Sequence, residues 1–467
     1  MYQLLDQASR ATSDPQVQAR IDELILYTRY VELYRAYRSV SGEPRQQTLE
    51  ELLRFSYSIR ETNMVHVAAI FRDLPRRDRG LDASFETLWS VGSLEGAEWE
   101  TFGEVGDVAF DAAGNLHILD AQSARVVVVD PRGRLLRTVG RPGEGPGELR
   151  MAAGMAVLRD GTVAVADLGH RAFVVYGPDG EFLHQSPFGG DGGTTVLGEL
   201  LPEPAGRGVV SAGRRMVMVR RGGPGGATED PGQPIVRFDL APEGGSRTLL
   251  RAWEPPPPEG GGAGAVAGGA RVTMPPERAF EPRLLAAMLP DGSLVFSDSS
   301  AYALKVAGPD GRVKRILRRP LEPRRTTARI QEAEKRRRLA EMEAGEGPQI
   351  SVRTTEGGGP RTVSQDQIRD MMRRRIDGLL FYPEVPVVQA VAAGWSGKVW
   401  VRRRGRDAFE DGPVDVLDAA AGTYLGTLEP ATRIPDAFGP DGVAAWVERD
   451  ALDVPTVVVR RLPPALR

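Results

Sequence analysis

A mainly β fold, six four-stranded blades closed into a propeller, with a helical segment before it and a helical insertion between blades four and five, is what this chain predicts. Three observations predict it. One unit recurs: Gly114 to Gly133 (GNLHILDAQSARVVVVDPRG), Gly161 to Gly180 (GTVAVADLGHRAFVVYGPDG) and Gly292 to Gly311 (GSLVFSDSSAYALKVAGPDG) share a single layout. Each opens on a turn glycine, runs apolar, meets an aspartate six positions on, runs apolar again and closes on Pro-x-Gly. Next, the anchor glycines Gly114, Gly161, Gly213, Gly292, Gly397 and Gly442 lie about 45–52 positions apart wherever nothing intervenes, and such a period with four short strands per unit is a propeller signature. Last, the final unit, Val443 to Leu462, is one strand short, and Phe85 to Val91 is placed to supply it. Pairing an early strand with the last blade closes the ring and removes two sheet edges.

Composition narrows the functional classes. The formal charge of −3 over 467 residues points to neither nucleic acid nor a membrane surface. The absence of cysteine excludes disulfides, thiolate metal sites and a cysteine nucleophile within this chain, and no lipid-anchoring cysteine is expected near its start. Lysine occurs only at 305, 314, 335 and 398, an arginine bias that reads as genome composition rather than function. No run reaches the ~18 apolar residues of a membrane-spanning helix. The opening MYQLLDQASR lacks a basic region followed by an apolar one, so no export signal is expected in this chain.

Residues 1–84 read as helical. Asp14 and Pro15 suit an N-cap followed by proline at the first helical position. Leu24, Tyr27, Val31 and Tyr34 recur at helical spacing and are expected to form a helix–helix core. Gly42 suits a stop. Thr48 and Glu51 match a capping box for the next helix, and a third short helix is expected over Met64 to Leu74. Arg72 to Arg79 reads as a linker. The run LLRFSYSIRETNMVHVAAIFRDLPRR resembles the helical end of an uncharacterised domain of large bacterial glycoside-hydrolase-like proteins. The rest of that domain is missing, so the segment reads as a truncated or fused piece and no catalytic carboxylate is carried over.

From residue 85 to 467 the apolar runs are short and split by Gly, Pro and Asp, as strands are. FGEVGDVAFDAAGNLHILDAQ, GRPGEGPGEL, GKVWVRR and VERDALDVPTVVVRRL resemble bacterial six-bladed β-propeller proteins related to the NHL-repeat group. That resemblance implies a protein exported or associated with the envelope, without an assigned activity. The third unit, VVSAGRRMVMVR, lacks the aspartate and departs from the pattern.

In antiparallel blades successive turns alternate between two rims. The first and third turns of each blade, such as Asp160-Gly161 and Gly177 to Gly180, are tight and carry glycine. Every long excursion belongs to the other rim: Gly222 to Pro234, Glu254 to Pro282, Pro320 to Pro383 and Gly405 to Gly412. Long loops on a rigid scaffold are where binding sits. Within residues 320–383, Thr326 to Ala344 reads as a charged helix with Glu332–Arg336 and Glu334–Arg338 pairs. Ser364 and Gln367 cap a second one containing Ile368, Met371, Met372, Ile376 and Leu379, ended by Pro383. This hairpin is expected to form a lid over the central channel. The Pro/Gly-rich stretches between the helices and at Pro255 to Gly269 are expected to be disordered.

The residues expected to face the loop-rich mouth are Asp120, Gln122, Arg125, Glu144, Asp167, His170, Arg171, Asp298, Tyr302 and Asp450. The aspartates suit oxygen ligation of a cation, but repetition favours their accepting bonds from turn amides. Arg125 and Arg171 suit an anion, or else tie neighbouring blades together. GEGPGE at Gly143 to Glu148 is a turn, since it lacks Gly-Lys-Ser/Thr and opens no helix. Gly262, Gly264 and Ala267 match a dinucleotide pattern only through composition. The four histidines, His66, His117, His170 and His184, lack metal-ligand spacing, and no G-x-S-x-G elbow appears. The basic runs Lys335–Arg338, Arg373–Arg375 and Arg402–Arg404 read as solvated faces.

The function these readings support is binding of a small molecule, glycan or protein at the loop-rich face of a monomer, with no catalytic residue, metal or cofactor assigned. A metal-dependent, lactonase-like hydrolase acting at the channel is one alternative, though only Asn63 and Asn115 could supply amide ligands. A non-catalytic interaction scaffold is the other.

Overall fold

The computed structural model describes residues 2–12, 15–40, 43–58, 71–188, 194–204, 206, 208–219, 232–256, 258, 264–267, 270–273, 277–344, 353–354, 361–362, 365–450 and 452–467. Six four-stranded antiparallel blades follow one another around a ring. Their innermost strands are Val105–Phe110, Ala152–Val157, Thr194–Pro202, Leu285–Met288, Val388–Ala393 and Ala437–Phe438. The expected closure is present. Glu86–Val91 forms the outermost strand of blade six, antiparallel to Pro455–Arg461 with Glu86 opposite Arg461.

The core explains why the strands read as unbroken apolar runs. Alternate side chains of a strand point to opposite faces, and in a ring each blade has a neighbour on both. Val126 and Val128 therefore pack with Val157, Val163 and Val165 of blade two. Val127 and Val129 pack with Ala445, Val457 and Val459 of blade six. All four valines are fully buried. The other four blade interfaces carry their own apolar clusters in the same way.

The turn glycines lie where the repeat places them. Gly114, Gly161, Gly292, Gly397 and Gly442 all have φ between 72° and 91°, a region that costs other residues strain. Gly213 differs. It lies inside the strand Gly208–Val219, so the turn of blade three precedes Gly208. That blade nevertheless has its four strands, and the expected loop between its second and third strands falls largely in 220–231, outside the described residues.

The N-terminal helices are α1 (Tyr2–Ala11), α2 (Pro15–Ser39) and α3 (Glu43–Ser58). Helix α2 starts at Pro15 as expected, while the expected caps Asp14 and Ser364 and the stop Gly42 lie outside the described residues; three other expectations are corrected. Leu24, Tyr27 and Tyr34 are exposed, with the Tyr27–Tyr30 and Tyr30–Tyr34 rings stacked at 6.2 Å, while Ile21 and Leu33 are the buried residues of α2. Helix α3 begins before Thr48, whose hydroxyl donates to the Pro44 carbonyl instead of capping. Phe71–Asp73 is a strand, parallel to Val313–Arg318 on the edge of blade four; residues 64–70 lie outside the described residues. Leu49 and Leu53 of α3 pack on Ile316 of the same blade.

The stretch Arg72 to Arg79 is more than a linker. Arg319, fully buried, bonds Asp415 at 2.7 Å, Asp78 at 2.9 Å and the carbonyls of Pro75 and Arg76 at 2.8 and 3.1 Å. The crossing segment is thus fastened between blades four and five.

The insertion contains α4 (Ala328–Glu343) and α5 (Gln365–Asp377). Helix α5 stops at Gly378, whose amide bonds the Arg374 carbonyl, before Pro383 is reached. Part of the Pro255 to Gly269 stretch is ordered: Gly264–Ala267 pairs with Ala270–Thr273 as a hairpin. Between α4 and α5, Arg353–Thr354 pairs with Arg361–Thr362, and the rest of that stretch lies outside the described residues.

Candidate functional site

The helical hairpin and the 253–284 excursion leave from one rim and meet. Arg278 and Ala279 pair in parallel with Leu380 and Phe381, and Arg324–Arg325 pairs with Glu384–Val385 at the base of the hairpin. An ionic chain fastens the helices from above. Glu334 of α4, 4 % exposed, accepts from Arg337 at 2.9 Å and Arg338 at 2.6 Å. Arg338 and Arg375 of α5 both reach Glu277, at 2.6 and 2.9 Å. Burial alone would raise the Glu334 carboxyl, but the two guanidinia outweigh it and hold it below the usual range.

Beneath the hairpin lies a cavity of about 740 Å³, between the helices and the loop-rich ends of blades three to five. Trp253, Phe280 and Phe409 give it apolar wall; Arg283, Arg404 and Gln389 give it polar wall. Phe280 has φ +59°, an outlier for a bulky side chain. Its ring lies 6.0 Å from Phe409, with the Arg404 guanidinium 5.9 Å from its centre. Among the described residues the Arg404 guanidinium bonds only backbone: the Pro386 carbonyl at 3.2 Å and the Ala408 carbonyl at 2.5 Å. Burial, with Arg324 nearby, draws its pKa below the ordinary guanidinium value.

A second cavity, of about 220 Å³, is the central channel, lined by all six inner strands. Asp107, Glu199 and Asp436 open onto it. Asp107 accepts from the Met155 amide of the next blade at 3.0 Å and from the Val108 amide at 2.9 Å. Enclosure by the ring pushes Asp107 up to about 6, and the Asp436 charge adds to it. The same enclosure, with the Asp107 charge, pushes Glu199 up to about 7, although its surface touches channel space. Asp436 is raised by burial, against a 2.8 Å bond from the Val447 amide. Among the described residues no three acidic or histidine side chains converge as a metal site.

The residues expected at the mouth are distributed differently. Asp120 is fully buried and accepts from the amides of Gly103, Glu104 and Ser123 at 3.2–3.4 Å and from Arg125 at 3.2 Å. Asp167 accepts from Arg150 at 2.6 Å and His170 at 2.9 Å, again through backbone amides. Asp298 accepts from the Trp253 amide at 2.8 Å and Lys305 at 2.7 Å. In each case the aspartate fastens a blade-to-blade crossing to the end of its strand. Arg125 also donates to the Thr101 carbonyl at 2.8 Å, tying the strand-to-blade crossing down.

Gln122 is exposed beside Gly103. Glu144 pairs with Arg150 at 3.4 Å on the surface. The His170 ring lies 3.3 Å from Asp167, and Arg171 is exposed with φ +58°. Asp450 accepts from the Leu452 and Val454 amides at 2.8 and 3.0 Å, closing its own turn. Tyr302 faces away from the mouth: it lies in the bend just before the strand Ala303–Ala307, with its ring in the core between blades four and five, 1 % exposed. The structure thus joins Asp120 with Arg125 and Asp167 with His170, and leaves Tyr302 and Asp450 apart.

Arg283, Phe280 and Gln389 were not singled out from the sequence, and Arg404 was read only as part of a solvated basic run; that reading is corrected, since Arg402 and Arg403 are buried in the strand and Arg404 is half-buried. They lie far apart along the chain and carry no motif. Asp107 did carry a signal: the equivalent position of blade two, opposite the residue before Asp167, is Gly154. An acid that breaks a repeat marks a place where the blades are used differently.

No protein-family model matches the chain, and no curated protein matches it in sequence. Solved structures are similar to it. A Bacteroides fragilis protein is 11% identical, with 84% of this chain and 99% of that one covered at a TM-score of 0.43. A member of the duf4221 family from Bacteroides vulgatus is 10% identical, covering 83% and 99% at a TM-score of 0.45. The calcium-binding protein regucalcin from Agrobacterium tumefaciens is 14% identical, covering 83% and 96% at a TM-score of 0.32. The propeller assignment rests on the strand pairing above, and no helix among the described residues is long and apolar enough to cross a membrane.

Proposed function

We propose that this protein binds a small molecule in the cavity between the hairpin and the loop-rich rim. One observation carries the reading: a space of about 740 Å³, within the range of ligand sites, is walled by the scaffold on one side and by α4 and α5 on the other. The mouth therefore sits off the ring axis, above blades three to five, and of the repeated aspartates it is Asp298 of blade four that supports its wall, through the Trp253 amide. The kinship of residues 88–467 with the NHL-repeat group, an envelope-associated location and a monomeric state belong to the same reading. So does a functional unit that includes residues 1–84, supported by the Arg319 contacts. The kinship of those residues with the glycoside-hydrolase-associated domain is proposed on their sequence alone.

The hairpin can be removed cleanly. The Thr326 amide donates to the Pro383 carbonyl at 2.8 Å, so an Asn-Gly turn can replace residues 327–382. N-phenylnaphthylamine, a neutral dye that fluoresces in apolar sites, is expected to bind the intact chain one-to-one and to quench Trp253. The trimmed chain should lose that binding. Dye that ignores the intact chain, or binds both forms equally, removes the reading.

A further inference from the structure

Among the described residues, the charges around this cavity do not balance internally, and the imbalance points to the ligand's chemistry. Four of its cations are occupied: Arg337 and Arg338 on Glu334, Arg338 and Arg375 on Glu277, and Arg278 on Glu281. Those pairs use three of the four acids in the lining, and the fourth, Glu254, is not free either. Arg404 and Arg283 remain. Among the described residues Arg404 has only the two carbonyls already described, and Glu334 and Asp411, the acids nearest in charge, form no ion pair with it. Arg283 is exposed on the cavity rim and, among the described residues, forms no ion pair with the lining acids. Arg324, the neighbouring cation, is spent on the Gly405 and Arg406 carbonyls. A half-buried guanidinium held against like charge, without a carboxylate, is an arrangement that an incoming anion relieves.

The rest of the wall specifies what the anion is attached to. Phe280 and Phe409 form a face beside Arg404, with Trp253 also in the lining. Gln389, in the same lining, has a buried amide oxygen without a hydrogen-bond donor among the described residues. We infer that the ligand is an organic anion, a carboxylate, sulfonate or phosphate carried on an aromatic or otherwise apolar body, with Arg404 and Arg283 receiving the charge and Phe280 and Phe409 the body. This inference rests on the binding reading above.

Anilinonaphthalene sulfonate tests it, because it is N-phenylnaphthylamine with one added anionic group. Both dyes are titrated into the full chain, into Arg404→Gln and Arg283→Gln, and into Trp253→Phe to assign the quenching. Retained binding of the neutral dye shows that each variant keeps the cavity. The expected result is anionic dye bound about tenfold more tightly than neutral dye. That advantage should fall about tenfold in either arginine variant, as expected for loss of one charge-assisted contact. Equal affinity for the two dyes, or an anionic dye indifferent to both substitutions, overturns the anion inference and leaves the cavity standing. If neither dye reaches Trp253, the binding reading falls with it.

Discussion

Replacing Arg319 with methionine should unfasten the N-terminal segment from the ring. The Arg319 and Asp415 side chains are both fully buried, and Arg319 stacks 4.5 Å from the centre of the Tyr424 ring. Four hydrogen-bonding partners lose their donor. The Pro75 and Arg76 carbonyls belong to exposed residues and can turn to water, so the cost concentrates on Asp415. Breaking a buried ion pair from one side costs about 3–5 kcal/mol. Asp415 keeps Thr427 at 2.7 Å and Arg403 at 3.3 Å, which places the expected loss near the lower end, about 3 kcal/mol. Unfolding entropy scales with length, so in a chain of this size that is about 3 °C in Tm. The local signal should be larger. The Leu74 amide bonds the Arg318 carbonyl at 2.7 Å and the Leu81 amide bonds the Thr427 carbonyl at 2.8 Å. Hydrogen exchange at both should accelerate by about 10–100-fold if the fastening between them is lost. Arg319→Met/Asp415→Asn should recover part of the Tm. Unchanged Tm with both amides still protected would refute the reasoning.

Three further outcomes follow from the same geometry. Glu199→Gln should match the parent near pH 4.5 and become more stable as pH rises through about 7. The native carboxyl keeps its proton where the unfolded chain has lost it, so its stabilising effect fades at higher pH. Discounted for channel water, the gain at pH 8 is about 1 kcal/mol, and a pH-independent difference in urea midpoint contradicts it. Gly311→Ala should cost more than Gly292→Ala by about 1–2 kcal/mol. Both have φ near +80°, but a Cβ at Gly311 collides with the Leu249 carbonyl of the neighbouring blade, whereas Gly292 meets only Pro309 at 3.4 Å. Equal losses in thermal melts would remove that distinction. Asp120→Ala should lower stability by about 2–3 kcal/mol while leaving dye affinity unchanged; an affinity loss at matched stability would restore Asp120 to the ligand site.

The ring was legible because it is local and repeated. Glycine, two apolar runs and an aspartate recur, and the continuous Val126–Val129 run already implies burial on both faces. The sorting of long and short turns by rim was legible for the same reason, since antiparallel alternation leaves no freedom. Helix α2 shows where pattern stops: the Leu24–Tyr27–Tyr34 stripe has the spacing of a core, but spacing does not say whether a partner covers it. Thr48 resembled a cap because capping and mid-helix bonding use the same residue types. The cavity was least legible. Trp253, Phe280, Arg338 and Arg404 meet only after three blades and the hairpin have docked, and none of them repeats. Repetition pointed to Asp120, Asp167 and Asp298, which hold the scaffold together. Departures from it, such as Asp107, point toward the spaces the scaffold encloses.

The decisive measurement is the distance from the hairpin to each rim. The chain has no cysteine, so spin labels can be placed in pairs at exposed positions without background. Arg336 on α4 is paired once with Asp407, in the loop-rich rim of blade five, and once with Asp310, in a tight turn of blade four. A blade strand separates the rims by roughly 17–20 Å. A hairpin seated over the cavity gives a clearly shorter Arg336–Asp407 distance; a shorter Arg336–Asp310 distance, or a broad distribution for both, means that nothing roofs the proposed site.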